Sequence, residues 1–362
     1  MKSRAMVLTN FNRPLELREF PVSRLEEGQV LVKIRAAGIC GSDVHMWKGE
    51  DPRTPLPIIL GHEGVGRVVD IKGKRYTVDG KQIKEGDFIL WNRGISCNMC
   101  YYCKVLREPS LCRNRKVYGI NMSCSEPPYL NGCYSEYILL TADTDIFKIP
   151  EDIDAAVMVS SSCSGATIAH GFDMINLKVG DTVVVQGPGP LGVYAVAFAK
   201  KLGASEVVVI GGSPSRLDIC REMGAITLNR HDTTVEERRE FIMEMTGGRG
   251  ADVVVEAVGS KGAVEEGIKL LRPNGVYLST GFAQPAGLEQ IDFYLDVVSK
   301  NICIQGVWVS DTRHTWQVIN LVLDKPDAFS KMITHRFRLD EANDALAVMA
   351  NRQALKAVIE MQ

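Results

Sequence analysis

The chain has 362 residues, 45% of them hydrophobic, and a formal net charge of -2. That length suits two domains with separate cores. No basic run invites a nucleic-acid partner, and no apolar stretch is long enough to span a membrane. The opening residues, Met1 to Val7, lead into a polar segment and not into a secretion signal. A cytoplasmic protein is expected, and its ten cysteines point to metal or chemistry before disulfides.

Taken in order, Gln29 to Ala36 roughly alternates apolar and polar residues, as a half-buried strand would. Gly38-Ile39-Cys40-Gly41-Ser42-Asp43-Val44-His45 follows, then a loop, then Gly61-His62-Glu63-Gly64-Val65-Gly66. Cys40 supplies a thiolate and His62 an imidazole, ligands that suit zinc. Glu63 adds a carboxylate. Ser42 and His45 stand where a hydroxyl and an imidazole could pass a proton outward. A catalytic zinc needs three protein ligands and one open position, so a third ligand must come from elsewhere. Taken alone, the pair is equally a buried core thiol and a hydrogen-bonded histidine. Gly64 to Ile71 reads as a second strand, Lys72 to Glu85 as an exposed hairpin or loop, and Gly86 to Trp91 as strand again.

The pattern Cys97-x2-Cys100-x2-Cys103-x8-Cys112 comes next. Four thiols in one loop can close an all-thiolate tetrahedral zinc site with no open position. Such a site holds together a lobe that has little core of its own. Cys124, Cys133, Cys220 and Cys303 pair with no motif and are expected to be small core thiols.

From about Gly165 strands and helices alternate. Thr182 to Gln186 is a short buried strand, Gly187-Pro188-Gly189-Pro190-Leu191-Gly192 follows at once, and Val193 to Leu202 reads as a helix. G-x-G-x-x-G between a strand and a helix is the dinucleotide-binding context. Gly187 permits the tight turn, Gly189 lets the backbone approach a pyrophosphate, and Gly192 lets helix and strand pack closely. Further strands are expected at Glu206 to Ile210, ending at Gly211, and at Asp252 to Ala257, Gly275 to Thr280 and Ile302 to Val307. Together they predict a doubly wound parallel sheet. A helix from Thr312 to Leu323, a strand from Ile333 to Leu339, a helix from Asp340 to Met349 and a strand from Lys356 to Glu360 suggest that the C-terminus returns to the first domain.

On Gly38 to Asp43, Gly61 to Glu63, the four-cysteine lobe and Gly187 to Gly192, in that order, the chain resembles the zinc-dependent medium-chain alcohol dehydrogenases over nearly its whole length. The resemblance implies an α/β protein with a GroES-like β-rich catalytic domain, residues 1–164 and 308–362, and a Rossmann domain, residues 165–307. It implies two zinc ions per chain. The catalytic one is held by Cys40, His62 and a third ligand just before the Rossmann domain. Polyol and threonine dehydrogenases use a glutamate there, within Glu-Pro. Here the stretch Ser160 to Thr167 resembles the cysteine version, which makes Cys163 the third ligand. Glu63 matches a family residue that approaches the metal and exchanges with the labile ligand. The structural zinc falls to Cys97, Cys100, Cys103 and Cys112, although the Cys103–Cys112 spacing is one residue longer than the common form.

The implied reaction moves hydride between an alcohol and a nicotinamide cofactor, with the proton leaving through Ser42 and the cofactor ribose toward His45 or solvent. Thr167, Gly187, Gly189, Pro190, Leu191, Gly192, Gly211, Ser213, Arg216 and Val309 are the cofactor residues by the same resemblance. Gly211 stands where NAD-preferring members carry an acidic residue. The following Ser213, Ser215 and Arg216 resemble the loop of NADP-using cinnamyl alcohol dehydrogenases, so the chain is expected to accept both cofactors with a lean toward NADP. A small-molecule alcohol or carbonyl substrate and a homo-oligomer, dimer or tetramer, are implied too. Two other readings stay open from the residues: a zinc-free quinone or enoyl reductase on the same fold, and a non-catalytic zinc and nucleotide binding protein.

Overall fold

The computed structural model describes residues 1–361. The chain divides into two units, Met1–Cys163 together with the segment from Ser310 onward, and Ser164–Val309.

The first unit is built on a seven-stranded sheet centred on Val30–Ile39, which pairs antiparallel with Glu63–Ile71 on one side and with Tyr137–Leu140 and Lys356–Glu360 on the other. In this register Gly38 lies opposite Glu63 and opposite Val358, and Ile39 opposite Ala357. Three distant stretches therefore finish at one end of the sheet: the chain leaving Ile39 into Cys40, the chain entering at His62–Glu63, and the chain entering at Lys356. Phe88–Trp91, Ile146–Lys148 and Ile333–Arg338 extend the sheet outward. The last two elements return to the first unit, as the alternation of helix and strand after Val309 suggests.

The centre strand is not half-buried. Val30, Leu31, Val32, Ile34, Ala36, Ala37 and Ile39 are all buried, so both faces of the sheet are covered and only Lys33 and Arg35 break an apolar run. Several elements have no counterpart in the sequence reading, the following two among them. Lys2–Leu8 is a strand, paired with Glu16–Pro21 and Ile58–Ile59. Gly41–Lys48 is a helix of eight residues that leaves the centre strand directly. It is too short and too polar to show a helical apolar period. What starts it is the Asp43 carboxylate, which accepts a hydrogen bond from the Cys40 backbone N–H at 2.7 Å, the third helical residue reaching back to the cap. Lys72 to Glu85 is the surface hairpin expected, closed by a Tyr76–Gln82 bridge.

The second unit is a six-stranded parallel sheet in the order Ile226–Asn229, Glu206–Gly211, Thr182–Gln186, Ala251–Glu256, Leu271–Ser279, Cys303–Gly306. The chain starts in the middle and winds both ways, which makes the end of Thr182–Gln186 the topological switch point. Val183, Val184, Val185, Val207, Val208, Val209, Val254 and Val255 are fully buried, as strands with helices on both faces must be. The helix after the glycine turn starts at Pro190, three residues before the apolar period begins, because proline at the first helical position costs no hydrogen bond. Cys124, Cys133 and Cys220 are buried, but Cys303 is exposed. It lies on the edge strand Cys303–Gly306, none of whose residues is buried, and is not a core thiol.

Fully buried Glu256 ends its strand by accepting from the backbone N–H groups of Val258 and Gly259, both at 2.6 Å, and from that of Gly281 at 3.2 Å. One carboxylate thus fixes two loops at the sheet edge where a dinucleotide would lie. Glu256→Leu keeps the volume and orphans these donors. It should destabilise the second unit by roughly 3 kcal/mol, at 1–3 kcal/mol for each unsatisfied buried group, measured as a shift in the denaturant midpoint.

Candidate active site

Cys40 caps the helix Gly41–Lys48, His62 and Glu63 open the strand Glu63–Ile71, and Cys163 follows the turn Val159–Ser162. The sheet register brings them together. One ligand atom from each of Cys40, His62, Glu63 and Cys163 lies within 4.8 Å of all the others. The two sulfurs are 3.9 Å apart, and Cys163 Sγ is 3.4 Å from His62 Nε2. A tetrahedral zinc with Zn–S of about 2.3 Å and Zn–N of about 2.0 Å has edges of about 3.8 Å between sulfurs and about 3.5 Å from sulfur to nitrogen. The donor set fits a zinc ion.

The electrostatics suit a cation held by two thiolates. The hydrogen bond with Cys163 holds the Cys40 thiol well below its ordinary value, and the same contact pushes Cys163 up. Buried Arg93 places Nη1 3.0 Å from Cys163 Sγ. Burial disfavours a charged His62, but the Asp43 carboxylate and the Cys40 sulfur outweigh it and raise the imidazole to about 9. Asp43 Oδ1 stands 3.2 Å from His62 Nδ1. A carboxylate behind a ligating histidine fixes which ring nitrogen faces the metal.

Behind these donors, Glu63 is in direct contact with the Lys356 ammonium. Both side chains are essentially out of solvent. Burial alone would neutralise Lys356, but Glu63, Cys40 and Cys163 hold it charged, well above its ordinary range. Gly38 makes the room: a Cβ there would run into Glu63 Oε2 and would sit 3.0 Å from Lys356 Cε.

Ser42 Oγ lies 3.4 Å from His62 Nε2. His45, one helical turn further along, is partly exposed, and its Nδ1 meets Glu50 Oε2 at 2.6 Å. The four lobe cysteines also converge. Their sulfur separations are 3.5 Å for Cys100–Cys103, 4.0 Å for Cys100–Cys112 and 3.4 Å for Cys97–Cys112. The longer spacer before Cys112 is taken up by the turn Pro109–Leu111.

In the second unit Gly187 has φ +103°, a left-handed turn that suits glycine. A Cβ on Gly192 would strike the Gly187 carbonyl oxygen, whereas a Cβ on Gly189 would meet nothing. Pro190 and Leu191 form the first turn of the helix behind it. The loop is tight where it must pack and open where a pyrophosphate would approach. Thr167 is on the helix Ser164–Met174. Val309 has φ +49°, and its carbonyl accepts from His170 Nδ1 at 2.9 Å. Ser213 caps the helix Pro214–Glu222, and Arg216 is in its first turn. No helix among the described residues is long and apolar enough to cross a membrane.

Asp43, Arg93 and Lys356 are given no role at the site in the sequence reading. Lys356 left a readable trace, as the one charge in Ala354-Leu355-Lys356-Ala357-Val358-Ile359. Arg93 left none.

Comparison with known proteins agrees with this geometry. The family model for the alcohol dehydrogenase GroES-like domain matches residues 26–151, and that for zinc-binding dehydrogenase matches residues 190–324. The chain is 35% identical to 5-exo-hydroxycamphor dehydrogenase of Pseudomonas putida, over 99% of this chain and 98% of that protein. A crystal structure of an alcohol dehydrogenase from Thermotoga maritima superposes with TM-score 0.98 at 50% identity, covering 100% of both chains. A zinc-binding dehydrogenase from Sinorhizobium meliloti, described as putative and bound to NADP, gives TM-score 0.86 at 26% identity, again over 100% of both chains. The chain belongs to the zinc-dependent medium-chain dehydrogenase family. It is an oxidoreductase that transfers hydride.

Lys356→Met should leave Glu63 as an uncompensated buried charge and cost roughly 3–5 kcal/mol. Adding Glu63→Gln should recover most of the loss. A denaturant series on the two single variants and the double variant measures it, and simple additivity would contradict the pairing.

Proposed function

We propose that this chain is an NAD(P)-dependent alcohol dehydrogenase whose catalytic zinc is held by Cys40, His62 and Cys163, with the Glu63 carboxylate as an exchangeable fourth ligand. The observation that carries the reading is the convergence of two thiols and an imidazole at a single sheet end, with a hydroxyl beside them. When bound there, zinc supplies a Lewis acid that acidifies the substrate hydroxyl. A nicotinamide dinucleotide, its pyrophosphate received by the glycine turn of the second unit, would supply the hydride acceptor. Ser42 receives the substrate proton at Oγ. His45, braced by Glu50, passes it to solvent. Asp43 keeps His62 in the tautomer that ligates, and the Lys356 ammonium in contact with Glu63 opposes the burial that raises its carboxyl.

The second zinc belongs to Cys97, Cys100, Cys103 and Cys112. That set is closed, has no carboxylate or hydroxyl partner with a catalytic part, and serves the lobe. Thr167 and Val309 contact the nicotinamide half of the cofactor. Ser213 and Arg216 contact the adenosine half, and with Gly211 in place of an acid they favour NADP. The exposed edge strand Cys303–Gly306, with Phe293, Tyr294, Leu295 and Val298 exposed nearby in the chain, supports a homo-oligomer closed through that edge. A cytoplasmic location suits the reduced thiols.

Metal analysis and turnover test the reading together. Native protein should hold two zinc ions. Cys40→Ser should lose one, with activity, and keep its fold. Cys97→Ser should lose the other and unfold more readily. Native protein with one ion or none would overturn the assignment. Secondary cyclic alcohols head the substrate panel, because a relative is named for a hydroxycamphor, followed by primary alcohols and polyols with both cofactors. Arg216→Ala should raise the KM for NADP by roughly tenfold to a hundredfold and leave that for NAD unchanged.

A further inference from the structure

The strand Ile226–Asn229 lies parallel to Glu206–Gly211, with Asn229 opposite Gly211. The Arg230 backbone N–H donates to the Gly211 carbonyl at 2.8 Å, so residues just past Asn229 stand beside residues just past Gly211. Two glycines follow one another here for different reasons. At position 211 a Cβ would lie 2.5 Å from Cδ and Cγ of Pro188, in the glycine turn, and 3.1 Å from Leu217 Cδ2. No acidic side chain fits at 211 while Pro188 holds its place. At position 212 a Cβ would lie 2.6 Å from His231 Nε2 and 2.8 Å from Arg230 Nε. The space beside Gly212 is filled by a guanidinium and an imidazole that come from the next strand.

Both heads are exposed, and neither makes an ion pair among the described residues. The nearest acid in sequence, Asp232, is engaged with the Asn229 side-chain amide at 2.7 Å. Ser213 Oγ and Ser215 Oγ, 3.4 Å apart, lie on the segment that leaves Gly212. A fork of guanidinium donors, an imidazole and two hydroxyls with no carboxylate among them recognises a phosphate monoester. At the end of the second strand of a dinucleotide-binding sheet, that ester is the one on the adenosine ribose.

We propose that Arg230 and His231 are specificity-determining residues that bind the 2′-phosphate of NADP, next to the Ser213–Arg216 segment. The proposal rests on the reading of the glycine turn as a nicotinamide dinucleotide site. It adds a second source of cations, from a different strand. The glycine at 212 is there to let them in, and the proline at 188 keeps a competing acid out of 211.

Calorimetric titration of the zinc-loaded full chain with NADP, NAD, 2′,5′-ADP and 5′-ADP tests it without turnover. The wild type should bind NADP more tightly than NAD, and 2′,5′-ADP more tightly than 5′-ADP. Arg230→Ala should weaken NADP and 2′,5′-ADP by roughly tenfold to a hundredfold and leave NAD and 5′-ADP unchanged. His231→Ala should act in the same direction by a smaller factor, and Arg230→Lys should keep part of the affinity. Gly212→Asp, which sets a carboxylate against both heads, should lower affinity for NADP and raise it for NAD. A wild type that prefers NADP while Arg230→Ala and His231→Ala bind it normally would overturn the proposal and leave the NADP reading to Arg216. Equal weakening of NAD and NADP in Arg230→Ala would also overturn it. A wild type that prefers NAD would overturn both.

Discussion

A buried carboxylate beside buried thiols is the constraint around which the first unit is arranged. Glu63 has no access to water, and an isolated charge in that position would be neutralised. Burial does raise the Glu63 carboxyl above its ordinary value, and the Lys356 ammonium in contact with it opposes that rise. The pair sets the surrounding geometry: Gly38 lacks a side chain because the two charges fill its space, and the strand that carries Lys356 must run next to the strand that delivers Cys40. The cations are shared more widely. Arg93 touches Cys163, and Lys356 also favours the ionised sulfur of Cys40. Thiolates gathered without such neighbours would repel one another. On the proposed assignment, these charges prepare the site for a divalent ion without belonging to its donor set.

The two cysteine clusters differ in what surrounds them. In the lobe, Met99, Tyr101, Val105 and Leu106 are exposed at 78%, 59%, 64% and 47%, so the loop buries little apolar surface and its sulfurs must supply the cohesion. At the sheet end the reverse holds. Ala37, Ile39, Val159 and Ile59 are buried, and the scaffold stands before any ion is considered. One set is a substitute for a core, and the other is mounted on one.

Much of this was legible in the sequence, for identifiable reasons. The parallel sheet announces itself because strands buried on both faces are runs of valine, and the glycine turn follows the first of them. The four-cysteine pattern is local, so spacing alone defines it. Cys163 was harder. Its neighbours are serines, it has no spacing to Cys40, and only resemblance singled it out. The helix Gly41–Lys48 was missed because a capping carboxylate, not an apolar period, starts it. Asp43 was quoted within a motif yet not recognised as the support of His62, since that role needs a distance across a strand pair. Arg93 and Lys356 depend on register between strands far apart in sequence. Cys303 was misplaced because its strand is at the sheet edge, where none of the four residues is buried, and edge position is not written in the local sequence. Gly211 was noticed as a missing acid. That Pro188 forbids the acid follows only from the folded turn.

The return of the C-terminus also orders events in time. The second unit is a continuous insert, and its sheet is complete once Gly306 has been made. The first unit is interrupted by that insert, and one neighbour of its centre strand is Lys356–Glu360, within the last seven residues of the chain. Until those residues leave the ribosome, the Ala36–Ile39 part of the centre strand lacks its partner on that side, since Tyr137–Leu140 covers only Val30–Lys33, and Glu63 has no counter-charge. The inserted unit can fold while synthesis continues, whereas the first unit waits for Lys356–Glu360 to emerge. The half of the protein that is made first is the half that is finished last.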